Sequence, residues 1–169
     1  MTVRRMSAAI AGALVVLTLS GPVASQDRPE DVERIARAFI AAYEVVDLDA
    51  LRALSAEDLV SVDGSAPVSA GGPYRFEGRE AWLSGLAGFV RDGGLIDIRQ
   101  QHDTAWQSGE KMVFIGRFDA RYRGSGGGVL HVRGRIVTVV TVRDGKVVRH
   151  EDIADYPAFE FLRVPDDAP

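Results

Sequence analysis

The sequence predicts an α+β domain in which helices come first and an antiparallel meander follows. Three observations carry this. Apolar residues recur at three- and four-residue spacing over 32–46 and again over 79–90. From residue 95 the period changes to two and stays so to residue 153. Between the alternating runs stand Ser108-Gly109, the glycine-rich run 124–128 and Asp144-Gly145, all turn signals. Helices segregated from a run of strands indicate α+β rather than α/β.

In chain order, Pro29, Glu30 and Asp31 mark a helix start, with Asp27 as its expected cap. Val32, Ile35, Ala36, Phe39, Ile40, Tyr43 and Val46 form its apolar stripe. Asp47 or Asp49 caps a short second helix ending at Leu54. Residues 59–63 predict a short strand, and 64–73 a loop rich in Gly, Pro and Ser. The third helix spans 79–90 with Trp82, Leu86 and Phe89 on one stripe, and Gly93-Gly94 ends it. Strands are expected over 95–107, 111–123, 129–143 and 146–153, with a short terminal helix over 157–162. Four such strands twist and coil. With three helices across its mouth, the sheet becomes a cone around an apolar pocket.

The chain has 169 residues and no cysteine, which excludes disulfides, thiol nucleophiles, thiolate metal sites and a lipoprotein anchor. Residues 1–25 have the pattern of a signal peptide: Arg4 and Arg5, an apolar run over 8–19, then Gly21 and Pro22. A cut after Ser25 puts Val23 and Ser25 at the small-residue positions. The expectation is export to the periplasm or beyond by the general secretory route. The run is short for a membrane span, so no stable membrane anchor is expected after cleavage. Residues 26–169 then make a single domain. It carries 18 Lys and Arg against 24 Asp and Glu, a net charge of −6. No basic stripe stands out, which argues against nucleic acid as a partner.

The candidate chemistry lies in the last three strands. On the strand over 111–123, Val113, Ile115, Arg117 and Asp119 share one face, and Met112, Phe114, Gly116 and Phe118 the other. Apolar residues precede Arg117 and Asp119 on their face, so that face is expected to look inward. Asp152 is in phase with Val148 and His150 on the last strand. Asp119, Asp152 and Arg117 are therefore expected to meet over one concave surface. The plainer alternatives are a structural ion pair for Arg117 and Asp119, a surface acid for Asp152, and packing roles for His150 and Tyr43. His102 and His131 have no evident partners, and no cluster has metal-ligand spacing, so neither metal nor cofactor is expected. Ser84 and Ser125 lack a nucleophile-elbow context, and the 124–128 run lacks the lysine of a phosphate loop.

The order of elements resembles the nuclear transport factor 2-like fold, the scaffold of SnoaL-like cyclases and ketosteroid isomerases. Arg117-Phe118-Asp119, Asp152 after the Gly145-Lys146 turn, and Gly78-Arg79-Glu80-Ala81 with 86–89 resemble limonene-1,2-epoxide hydrolases more closely. That resemblance implies addition of water to a small apolar epoxide, with Asp152 as base, Asp119 as protonated acid and Arg117 bridging them. The family holds its water with a Tyr and an Asn two residues apart. Ser61 and Asp63 stand at those positions here. The isomerases of the fold imply an oxyanion-donor role for Tyr43, and His150 is in place to line the pocket. Three functions follow as alternatives. A triad facing an enclosed pocket favours the epoxide hydrolase. A pocket with Tyr43 and one isolated acid favours a cyclase or isomerase using Asp119 or Asp152 as base. A triad on a solvated face favours a non-catalytic binding or association domain. A homodimer is expected through the outer sheet face, with Phe114, Phe118, Leu130, Val132, Ile136, Val140 and Val142 as its apolar residues.

Overall fold

The computed structural model describes residues 28–68, 71–124 and 126–165. Residues 1–25, where a leader is expected, and Asp27 lie outside the described residues. Helix α1 spans Pro29–Glu44, with Arg28 at its N-cap position making no side-chain cap bond. Pro29 fixes the first turn, and Glu30 and Asp31 sit at the positive end of the helix dipole. Its stripe buries Val32, Ile35, Ala36, Phe39, Ile40 and Ala42. Helix α2, Leu48–Leu54, is capped by Asp47, whose Oδ1 accepts from the Ala50 N–H at 3.0 Å. Strand β1 is Ser55–Asp63, four residues longer at its start than expected. Strand β2, Tyr74–Glu77, stands outside the expected set; it pairs antiparallel with β1. Helix α3 is Arg79–Arg91.

Strands β3 (Leu95–Ser108), β4 (Lys111–Arg123), β5 (Val129–Arg143) and β6 (Lys146–Ala154) follow the alternation closely. The expected helix over 157–162 is absent. A single 3-10 turn, Tyr156–Ala158, leads instead into strand β7, Glu160–Val164. β6 covers β5 only over 136–143, so residues 129–133 offer a free edge, and β7 pairs with it.

The seven-stranded sheet runs β2-β1-β6-β5-β4-β3, with β7 on β5. β1 and β6 are parallel, and their register sets Ser61 beside His150 and Asp63 beside Asp152. The sheet is thus mixed rather than a pure meander. Phe39, Leu51, Leu59, Phe114, Val140, Val142 and Val147 are sealed between the helices and the concave face. Each such side chain contributes roughly 1.5–3 kcal/mol of transfer free energy.

Register settles which side of β4 looks inward. Asp152 stands opposite Thr138, and Thr138 opposite Phe114. Residues paired directly across a sheet share a face. Asp152 is therefore in phase with Phe114, Gly116 and Phe118, and out of phase with Arg117 and Asp119. This corrects the expected meeting of Arg117, Asp119 and Asp152: two of the three lie on the outer face. The apolar residues expected on a dimer face are corrected with them. Val140 and Val142 are core, and Phe118, Leu130, Val132 and Ile136 line the interior. The outer apolar residues are Trp106, Val113, Ile115, Val137, Val139 and Ile153, aligned in two rows across β3 to β6.

Candidate functional site

The concave face and the helices enclose a cavity of about 610 Å³. Its walls are mostly apolar and aromatic, contributed by Phe76, Trp82, Leu86, Phe118, Tyr122 and Ile136 among others. Gly134 has no side chain because the Phe159 ring fills that space; an added Cβ would meet the ring at 2.6 Å. Its polar lining gathers where Tyr43 of α1, Ser61 and Asp63 of β1, and His150 and Asp152 of β6 come together.

Asp152 is an acid of that group, and it is buried. The Thr138 hydroxyl donates to its Oδ1 at 2.6 Å. Its Oδ2 lies 3.5 Å from His150 Nε2, a close approach but not a formed hydrogen bond. The His150 ring is walled by Phe39 at 5.4 Å, Tyr43 at 5.1 Å and Trp82 at 5.9 Å, centroid to centroid. Its Nδ1 is 3.2 Å from the buried Ser61 Oγ. The tautomer that suits both sides carries its proton on Nε2: that nitrogen then points a donor at the carboxylate, and Nδ1 accepts from Ser61.

Tyr43, on the inner face of α1, is half-buried beside this group and lines the cavity. Burial, and then the Asp152 carboxylate, push its phenol well above the ordinary value. It is therefore a neutral O–H donor throughout the physiological range. Among the described residues no hydrogen bond engages that hydroxyl.

Asp63 also borders the cavity but is fully engaged. Its Oδ1 accepts from the Ser65 N–H at 3.1 Å, the Ser65 hydroxyl at 2.7 Å and the Ala66 N–H at 3.0 Å. Its Oδ2 accepts from the Tyr156 hydroxyl at 2.5 Å. Ser65 Oγ in turn accepts from the Ala154 N–H at 2.8 Å. Asp63 thus ties the loop after β1 to the end of β6. Burial and this bond raise the Tyr156 pKa far above its ordinary value.

Tyr43, Ser61, Asp63, His150 and Asp152 are brought together as expected from the sequence. Arg117 and Asp119 are not. Arg117 is exposed and stands opposite Arg135. Asp119 bonds His131 Nδ1 at 2.8 Å and accepts from Arg133 Nε at 2.8 Å. His131 therefore has a partner on the outer face after all. His102 has one too: its Nε2 meets Gln100 Oε1 at 2.9 Å, and its ring lies 4.7 Å from Phe114. Burial lowers the His102 pKa.

The sequence reading missed Thr138, because a lone hydroxyl between Val137 and Val139 looks like strand filler. It also missed Gln100, whose side-chain nitrogen is buried without a partner at the cavity wall. Counting the phase outward from Asp152 across the β5–β6 hairpin would have found Thr138; Gln100 lies beyond the break in register between His102 and Thr104, which shifts the phase of β3.

A family model for the SnoaL-like domain matches residues 36–150. The chain belongs to this family. Solved structures agree on the fold. A protein described as a SnoaL-like polyketide cyclase from Shewanella denitrificans superposes with a TM-score of 0.64 at 19% identity, over 77% of this chain and 93% of that one. An LEH-like epoxide hydrolase of M. tuberculosis gives 0.61 at 18% identity, over 76% and 85%. TerC, co-crystallized with polyporic acid, gives 0.62 at 20% identity, over 76% and 94%. No curated protein matches the chain. Within this SnoaL-like scaffold, the cavity sets one half-engaged carboxylate, Asp152, beside a tyrosine hydroxyl that no hydrogen bond engages among the described residues.

Proposed function

We propose that this SnoaL-like protein moves a proton α to a carbonyl on a small apolar substrate, as a cyclase or isomerase does. Asp152 is the base. Thr138 occupies one of its oxygens, leaving the other for the substrate C–H. The electron pair released from carbon moves to the carbonyl oxygen. Tyr43 donates to that developing oxyanion, in a site with little water to compete. The protonated Asp152 then returns the proton to another carbon, or the enolate attacks a second carbonyl in the same molecule and the oxygen of that carbonyl takes the proton from Asp152. His150, oriented by Ser61, stands 3.5 Å from Asp152 Oδ2 without a formed hydrogen bond.

The observation that carries this reading is the pairing of one half-engaged carboxylate with an unengaged, protonated tyrosine at the base of an apolar cavity. The two-carboxylate epoxide mechanism needs a second free acid there, and the other carboxylate at the cavity, Asp63, has both oxygens engaged. Proton–deuterium exchange, followed by NMR on a panel of cyclic ketones and 1,3-diketones in heavy water, tests it directly. Exchange by the parent protein and none by Asp152→Asn supports the assignment. Exchange unaffected by the substitution removes Asp152 from the role.

Export by the 1–25 leader and pairing of two copies belong to the same proposal. The surface for pairing is the outer stripe of Trp106, Val113, Ile115, Val137, Val139 and Ile153. Sedimentation at micromolar concentration should give a dimer mass, reduced to a monomer by Ile115→Glu.

A further inference from the structure

Among the described residues, the buried side-chain polar atoms without a partner belong to Ser55, Gln100, Thr141 and His150. Of these, only Gln100 and His150 line the cavity, and His150 belongs to the Asp152 group. Gln100 stands apart from that group, on β3. It is paired opposite Phe118, and Phe118 opposite Gly134, whose place the Phe159 ring fills. Residues paired across a sheet share a face, so Gln100 is the polar member of an otherwise aromatic inward row.

Three contacts fix it there. β3 is the end strand of the sheet, and the Gln100 backbone N–H donates to Glu44 Oε1 at 2.8 Å. That bond ties the residue to the end of α1, one position past Tyr43. Its side-chain Oε1 lies 2.9 Å from His102 Nε2. Burial lowers the His102 pKa, so the ring is neutral at neutral pH. With its proton on Nε2, His102 donates to that oxygen. The Gln100 amide nitrogen is left with two N–H groups, shielded from water and without an acceptor. Its row neighbours Phe118 and Phe159 have no acceptor to offer. A buried donor in this condition opposes the fold until a partner arrives, and a bond made where water is excluded is stronger for it.

Asp152 and Gln100 lie at opposite ends of the strand run β6-β5-β4-β3. Phe114, in phase with Asp152 through Thr138, precedes Phe118 by four residues. On a flat sheet these offsets put the two polar groups roughly 20 Å apart, and the curl of the sheet shortens the chord. We propose that Gln100 is a specificity-determining residue whose amide N–H groups bind an uncharged acceptor oxygen on the part of the ligand farthest from Asp152. The favoured ligand is then an elongated apolar ketone with a second oxygen function at its far end. This rests on the cavity being the substrate site, as proposed above, and adds the class of molecule it selects.

Four ketones test it. Each is a cyclohexanone carrying a 4-phenyl or 4-biphenyl arm, for two lengths. The far para position holds either a methyl ester or an isopropyl group, of similar shape but without an acceptor. Calorimetric titration into the whole protein gives affinities that do not depend on turnover. At one of the two lengths, Gln100→Met should weaken ester binding about tenfold and leave isopropyl binding unchanged. Gln100→Glu keeps an oxygen for His102 and drops the donor, and should do the same. In the exchange assay both variants should raise KM for the ester without lowering kcat. Asp152→Asn should abolish exchange and leave the ester's affinity intact. Ester binding unchanged in both variants at both lengths overturns the role of Gln100. Equal weakening of ester and isopropyl overturns it as well, by reducing Gln100 to a structural tie. Ester-selective loss with no exchange by the parent upholds the subsite and removes the proton-transfer reading alone. Failure of all four ketones to bind removes the cavity reading and the subsite together.

Discussion

The two faces of the sheet use the same residue types to opposite ends. On the inner face, Asp152 is buried, has one neutral hydroxyl donor and faces apolar walls. On the outer face, Asp97, Arg121, Asp119, His131 and Arg133 form a grid set by register, where Arg121 clasps Asp97 and Asp119 is shared by His131 and Arg133. An acid that meets a guanidinium in partial contact with water gains modest stability and loses its freedom to react. An acid denied a cation, held by a hydroxyl and kept from solvent is free to take a proton. Which side of the pleat a residue occupies, not its identity, separates the two outcomes.

The comparison breaks first at Asp152. Asp152→Asn should cut turnover by about 10²–10⁴-fold, the usual loss for a positioned proton-transfer group, with the melting temperature little changed. Near-parental turnover would place the chemistry elsewhere. Tyr43→Phe comes next. Losing one oxyanion donor costs on the order of 10²–10³-fold in kcat. A change confined to KM would reduce Tyr43 to a wall of the cavity.

The outer face should answer in stability instead. The Arg121 guanidinium holds the Asp97 carboxyl below its ordinary value of 3.8. A folded pKa that is depressed contributes stability that is complete above the unfolded value and fades as pH falls through the folded one. Asp97→Asn should therefore cost about 1 kcal/mol at neutral pH. Its thermal melts should converge with the parent's below pH 3.8, whereas a constant offset into acid would sever the pair from stability. Smallest of all is Arg117→Met: about 0.5 kcal/mol or less, since among the described residues no carboxylate holds this exposed arginine, and no change in turnover. A sharp loss of activity in this variant would restore Arg117 to the chemistry.

Much of this architecture is legible in the amino-acid order. The stripe from Val32 to Ile40 and the long alternations of β3 to β6 are strong because each element buries one side over many residues. β2 and β7 escape because four or five residues carry too little periodicity, and because what defines them is a partner strand distant in sequence. The facing of β4 escapes for a sharper reason. Val113 and Ile115 make its outer side look as apolar as the inner, since part of that side is itself an apolar stripe. The run of charge at Arg117, Asp119 and Arg121, against aromatic Phe114, Phe118 and Tyr122, holds the answer. Only registers traced back from Asp152 weigh it correctly. Tyr43 and His150 were recoverable because helix and strand phase place them, and Ser61 through the resemblance to the epoxide hydrolases; the engagement of Asp63 was not, because it depends on how the loop after β1 folds back.

The parallel pairing of β1 with β6 has a kinetic consequence. Ser61 and His150 are 89 residues apart in the chain, and so are Ser65 and Ala154. Closing a loop of that length is among the slowest and most entropically costly steps a domain of this size takes. The hairpins of β3 to β6 can form locally beforehand, but the carboxylate, imidazole and serine cannot come together until that closure occurs. Ligand binding at the polar end should therefore appear late in refolding, after helical and strand signals have recovered. A partly folded chain would then hold nearly all of the secondary structure and none of the reactivity.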